Sequence, residues 1–285
     1  MNLKMVLIAA FLLTLPSLKA GTSEPKPFEM PRTQVIPIQE TESGRQYELY
    51  IKLPEGYSEK NDIKYPVLYF TDAVWHIEIL SAATEYLFKD LILVGISWQK
   101  YLNMEIGQHA SRFRDYSIKK STNSEYQKKY HFGQANHHLK FIRNDVIEYM
   151  EGNYRTDTDN RTYFGYSLGG LFGAYVLLVQ PDTFKNYILG SPSLKGNVAD
   201  LFKLEPDESL SRKNLDHNVF LTVGELEEDQ FEPIEKFKAI LKNRNNRNLI
   251  LKHVVIEAAD HGRAFPATGV RSVTWLSKFP GERQK

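Results

Sequence analysis

No cysteine occurs in the 285 residues. That absence removes disulfides, thiolate metal sites, cysteine nucleophiles and a lipid-modified N-terminal cysteine together. Net charge is almost lacking as well, with 36 Lys and Arg against 35 Asp and Glu. Residues 1–20 hold Lys4 and Lys19 and no acid, so setting those two cations aside leaves 34 basic against 35 acidic residues. A balance this close to neutral gives no electrostatic basis for binding nucleic acid or an anionic membrane surface. No apolar run reaches the roughly 18 residues of a membrane span. There is no internal repeat, no low-complexity linker and no His-Glu-x-x-His string, which argues against solenoids and the commonest zinc-hydrolase motif. What remains, 42% hydrophobic and 25% charged residues, is the composition of a globular protein.

The N-terminus reads as a targeting segment. Lys4 is followed by an apolar run from Val6 to Leu15, then by Ala20 and the polar stretch Gly21-Thr22-Ser23-Glu24-Pro25. A short apolar core ending in a small residue is the pattern of a cleaved secretory signal. The expectation is a signal peptide over 1–20, one domain over 21–285, and a periplasmic or secreted protein without a membrane span after cleavage. Secretion without disulfides fits a bacterial periplasm.

Beyond it, strands and helices alternate. Thr33–Gln39 and Arg45–Leu53 read as extended, and Tyr65–Thr71 and Leu91–Ile96 are nearly unbroken apolar runs, as in strands covered on both faces. Further strands are predicted over Thr162–Tyr166, Phe184–Gly190, Val219–Val223 and Leu249–Ile256. Helices are predicted over Trp75–Phe88, Gln134–Tyr154, Leu168–Gln180, Pro233–Lys242 and Val270–Lys278. Residues 99–130 lack a period and read as a long loop. The alternation implies a three-layer α/β sandwich with a mostly parallel sheet and an antiparallel N-terminal edge.

Chemistry concentrates at Gly165-Tyr166-Ser167-Leu168-Gly169-Gly170, which lies between a predicted strand and an apolar helix. Its first five residues match a nucleophile elbow, in which small residues let a tight turn present a strained serine at a helix N-terminus. A serine nucleophile needs a base, and the base needs an orienting carboxylate. Of the histidines after Ser167, His253 lies inside a strand and His217 precedes one. His261 follows the last strand and is the candidate base. Acid candidates after the strand Val219–Val223 are Glu225, Glu227, Glu228 and Asp229, with Asp260 beside the histidine. The backbone amides of Leu168 and of Ala73, in the loop after the third strand, are candidate oxyanion donors. Asp72 reads as a loop-fixing residue. Arg112-Phe113-Arg114-Asp115-Tyr116 is either a solvated charge pair or a pocket wall, with Arg114 and Tyr166 as candidate substrate contacts. His76, His109, His137 and His138 show no metal-ligand spacing, and no cofactor is expected.

The stretches Tyr65–Asp72, Arg114–Ser117, Tyr154–Asp157, Arg161–Gly173, Gly190–Leu194, Val223–Glu227 and Asp260–Gly262 together resemble the putative-esterase branch of the α/β-hydrolases, which includes enterobactin- and salmochelin-type siderophore esterases. Two departures are Ala73, where members often have glycine, and Tyr166, where they commonly have histidine. The resemblance implies an α/β-hydrolase fold and a serine esterase with a Ser–His–acid triad. Its substrate would be a small-molecule ester such as a siderophore trilactone or a small acyl ester. In many α/β-hydrolases the acid falls three residues after a strand-ending glycine, which selects Glu227 from Gly224. Acyl transfer to an alcohol and ligand binding without turnover are the alternative functions, and oligomeric state is open.

Overall fold

The computed structural model describes residues 26–59, 62–102, 107–204, 216–243 and 248–279. The expected signal peptide, 1–20, lies outside them. Among the described residues eight strands form one sheet: β1 (Thr33–Gln39), β2 (Gln46–Lys52), β3 (Tyr65–Phe70), β4 (Ile92–Ile96), β5 (Thr156–Tyr166), β6 (Asn186–Gly190), β7 (Asn218–Gly224) and β8 (Ile250–Ile256). Their order is β1-β2-β4-β3-β5-β6-β7-β8. The β1–β2 and β2–β4 pairs are antiparallel and the rest are parallel.

Every residue of β3, β4 and β6 is buried, because helices cover both faces of the sheet. One face carries α1 (Ala73–Leu87) and α9 (His261–Leu276), where Phe220 of β7 packs on Trp275 at 5.2 Å. The other carries α4 (Ala135–Phe141), a π-helical stretch Ile142–Ile147, α5 (Glu148–Asn153), α6 (Leu168–Val179), α7 (Val198–Phe202) and α8 (Glu228–Asn243). Here Leu139, Phe172 and Phe237 meet Val67, Tyr163 and Leu221 from the sheet. The register between β3 and β5 shifts around Pro66, where the step from Tyr65 to Val67 faces the longer step from Thr156 to Arg161 on β5.

Three expectations need correction. Residues 99–130 contain α2 (Ser111–Asp115) and α3 (Ser124–Tyr130), helices too short for a period to show. β5 begins at Thr156 rather than Thr162, and of its polar first half Thr156 and Arg161 pair with Tyr65 and Val67 of β3. The last helix starts at His261 rather than Val270. Gly262, Pro266 and Gly269 read as breakers, but the Asp260 carboxylate accepts a 2.9 Å bond from the Arg263 amide and caps the helix early.

Candidate active site

The C-terminal ends of the parallel strands converge on Ser167, between β5 and α6. Its backbone sits at φ 59°, ψ −116°, a costly conformation for a residue with a side chain. Close packing holds it there. A Cβ on Gly165 would lie 2.3 Å from the carbonyl oxygen of Gly169, and one on Gly169 would lie 2.5 Å from Thr71 Oγ1. Only glycine fits at either place. The Tyr163 hydroxyl donates to the Gly169 carbonyl (2.7 Å), and the Ser167 amide donates to Gly190 O (2.9 Å).

Glu227 follows β7 through a turn closed by its own amide on Gly224 O at 3.0 Å. Its carboxylate is buried at 8% exposure and fully engaged. Oε2 lies 2.6 Å from His261 Nδ1, while Oε1 accepts from Ser191 Oγ (2.7 Å) and from the Gly224 amide (2.8 Å). Burial alone would raise its pKa, but the bonds from His261, Gly224 and Ser191 outweigh that, and the group is held below its ordinary value. The other acids are occupied elsewhere. Glu225 accepts from the Ala258 amide (2.6 Å), Glu228 opens α8, Asp229 pairs with Lys195 (3.0 Å), and Asp260 caps α9.

Ala73 begins α1 and Leu168 begins α6, so both amides are first-turn donors without an intrahelical acceptor. The contact of Gly169 with Thr71 brings these two helix starts together. Asp72 is buried in the left-handed region at φ 56°. Its carboxylate is gripped by Arg112 Nε (3.1 Å) and Nη2 (3.0 Å) and by Trp98 Nε1 (2.6 Å). The Arg112 guanidinium also lies 5.1 Å over the ring of Trp75, which is 49% exposed. Asp72 therefore fixes the loop.

Both candidate substrate contacts are engaged with other residues of the protein. Arg114 is buried and forks onto Asp115 (2.7 and 3.0 Å), with Gln99 Oε1 (2.7 Å) and the Tyr47 hydroxyl (3.2 Å) completing the network. It is not a solvated charge. Tyr166 is buried at 7% exposure with its hydroxyl on the His261 carbonyl (2.5 Å) and near Ser191 Oγ (3.1 Å). Its ring packs on the imidazole of His261 at 5.1 Å, so it supports the histidine from beneath.

Two serines in Gly190–Leu194 carried no assigned role in the sequence. Ser191, at φ 34°, holds Glu227, and Ser193 Oγ lies 3.3 Å from Ser167 Oγ. Their Ser-Pro-Ser pattern was the available signal. His76 bonds Thr71 O (2.8 Å), and His138 is enclosed by Tyr47, Tyr116, Phe141 and Phe172. His137 pairs with Glu40 and Glu42. No cluster of three metal-ligating side chains occurs among the described residues, and none of their helices is long and apolar enough to cross a membrane.

A family model described as putative esterase matches residues 40–284. The chain is 30% identical over 223 residues to the ferri-bacillibactin esterase BesA of Bacillus subtilis (strain 168), covering 73% of this chain and 74% of that one. Its structure is similar to the BES protein from Bacillus cereus, with a TM-score of 0.72 at 23% identity over 90% of this chain and 98% of that one. An IroE-like serine hydrolase from Shewanella oneidensis matches with a TM-score of 0.70 at 19% identity, over 86% and 80% of the two chains. The fold is that of the α/β-hydrolases.

Proposed function

The chain belongs to the putative esterase family, and from that premise we propose that it hydrolyses carboxylic esters through an acyl-enzyme on Ser167. The observation that carries this reading is the His261–Glu227 contact of 2.6 Å at the same sheet edge as the strained Ser167. Glu227 on Nδ1 selects the tautomer in which Nε2 is free to accept a proton. Ser167 Oγ attacks the acyl carbon and passes its proton to Nε2. The developing oxyanion meets the amides of Leu168 and Ala73, at the positive end of α6 and at the start of α1. Collapse of the adduct expels the alkoxide, which takes the proton back from His261. Water then repeats the sequence to release the acid and restore Ser167.

The named relative is a ferri-bacillibactin esterase, which supports a siderophore trilactone or a small acyl ester as substrate here. Incubation with a fluorophosphonate followed by peptide mass analysis tests the reading. Covalent labelling of Ser167 is expected, and folded protein that stays unlabelled overturns it. The sequence pattern further supports export. Residues 1–20 would be removed, leaving an esterase domain over 21–285 in the periplasm or outside the cell. Protein recovered from the periplasm should begin at Gly21, and an intact Met1 there would refute this.

A further inference from the structure

A cavity of about 310 Å³ opens over the first turn of α6, the helix that Ser167 precedes. Leu168, the residue after Ser167, forms part of its lining together with Leu171 and Phe132. Asn197, on its border, donates 3.0 Å to the carbonyl of Ser193, whose hydroxyl touches Ser167 Oγ. The remaining wall is the segment 117–122, rich in hydroxyls and carrying Lys119 and Lys120.

This wall is built rather than loose. A Cβ on Gly133, at φ +92°, would lie 2.8 Å from the Lys120 amide nitrogen, so the two backbones are in direct contact. The Ser121 amide donates to Gln127 Oε1 (2.7 Å), and Gln127 in turn donates to Phe132 O (3.2 Å). The Ala135 amide closes on Ser117 O at 3.1 Å. The charges on the rim differ in their commitments. Lys119 is held by Asp200 (2.7 Å) and by the Gly196 carbonyl. Lys120 is exposed and has no ion pair with a described residue. With Asp200 already paired, the rim presents one uncompensated cation above an apolar floor.

We propose that this cavity is the acyl subsite, and that Lys120 at its rim selects acyl groups ending in an anionic substituent. The assignment rests on the esterase reading. The leaving alkoxide must collect its proton from His261, so the alcohol departs on that side. None of the residues lining the cavity comes from α9 or from the loop before it, which leaves the cavity for the acyl group. Its volume is at the small end of the roughly 300–1,000 Å³ typical of ligand pockets, suited to a compact acyl arm.

Matched 4-nitrophenyl butyrate and 4-nitrophenyl hemiglutarate, which share a leaving group, test the proposal. Lys120→Glu should lower kcat/KM for the hemiglutarate about tenfold more than for the butyrate, chiefly through KM, while Lys120→Arg keeps the wild-type ratio. Thr122→Trp, at an exposed rim position, should move the preferred acyl length in a 4-nitrophenyl ester series toward shorter chains. A substrate ratio within about twofold of wild type in Lys120→Glu, or an unchanged length profile in Thr122→Trp, overturns the assignment. Fluorophosphonate labelling of Ser167 in each variant separates that failure from failure of the esterase reading.

Discussion

His261 Nδ1 stands 2.6 Å from Glu227 Oε2, and the second oxygen of that carboxylate is held by Ser191 and by the Gly224 amide. The carboxylate is thus oriented by two donors that are independent of the histidine. A residue fixed in this way can orient an imidazole at little further entropic cost.

If Ser167 is the nucleophile and His261 its base, Ser167→Ala and His261→Ala should each lower turnover of an aryl ester by on the order of 10⁴–10⁶. Circular dichroism and thermal unfolding should show both variants folded. Ser167→Ala retaining more than about a tenth of wild-type activity would remove the assignment.

Glu227 and Glu225 lie two positions apart yet have different partners. Glu227→Gln should cost at least about 10²-fold in turnover, because the imidazolium loses its counter-charge and the tautomer its selector. Glu225→Gln keeps an oxygen for the Ala258 amide and should stay within about threefold of wild type. The opposite ranking in steady-state kinetics would exchange their roles.

Arg114→Ala should act on stability rather than on substrate affinity. It would strip the buried Asp115 of its main counter-charge, a loss of about 3 kcal/mol or more. Urea unfolding at neutral pH reads this directly. A raised KM for anionic esters with unchanged stability would restore Arg114 to the pocket.

Acid should destabilise the fold through two histidines. Burial pushes His76 and His138 down from 6.5 to about 4, and neither His138 nitrogen finds a hydrogen-bond partner among the described residues. The unfolded chain therefore takes up these protons first. Their stabilising contribution is complete above about pH 6.5 and is lost as pH falls toward 4, by on the order of 3 kcal/mol each. Denaturant midpoints measured between pH 7 and 4 should fall steadily, and His138→Phe should flatten the slope. An identical slope in that variant would mean that His138 binds its proton equally well in the folded and unfolded chain.

Local pattern carried much of the architecture. The apolar runs at 65–71 and 91–96, and the glycines around Ser167, specify buried strands and a tight strand–helix turn through nearest-neighbour sterics alone. The same pattern placed His261 after the last strand and Glu227 among four acids after the strand before it, and the family resemblance singled out Glu227 by its distance from Gly224. Pairings between distant residues were decided only by the tertiary structure. Arg112 and Arg114 stand two positions apart in one short helix, and nothing in the sequence says that the first grips Asp72 while the second sinks onto Asp115. Ser191 meets Glu227 across 36 positions, and the start of α9 depends on a cap formed by Asp260. Sequence by itself determined which segments must be buried and where the chain must turn sharply, since burial and backbone freedom are properties of the residues themselves. Which polar groups satisfy one another there was left to the packing of strands against helices, because a buried charge takes the partner that the fold brings within reach.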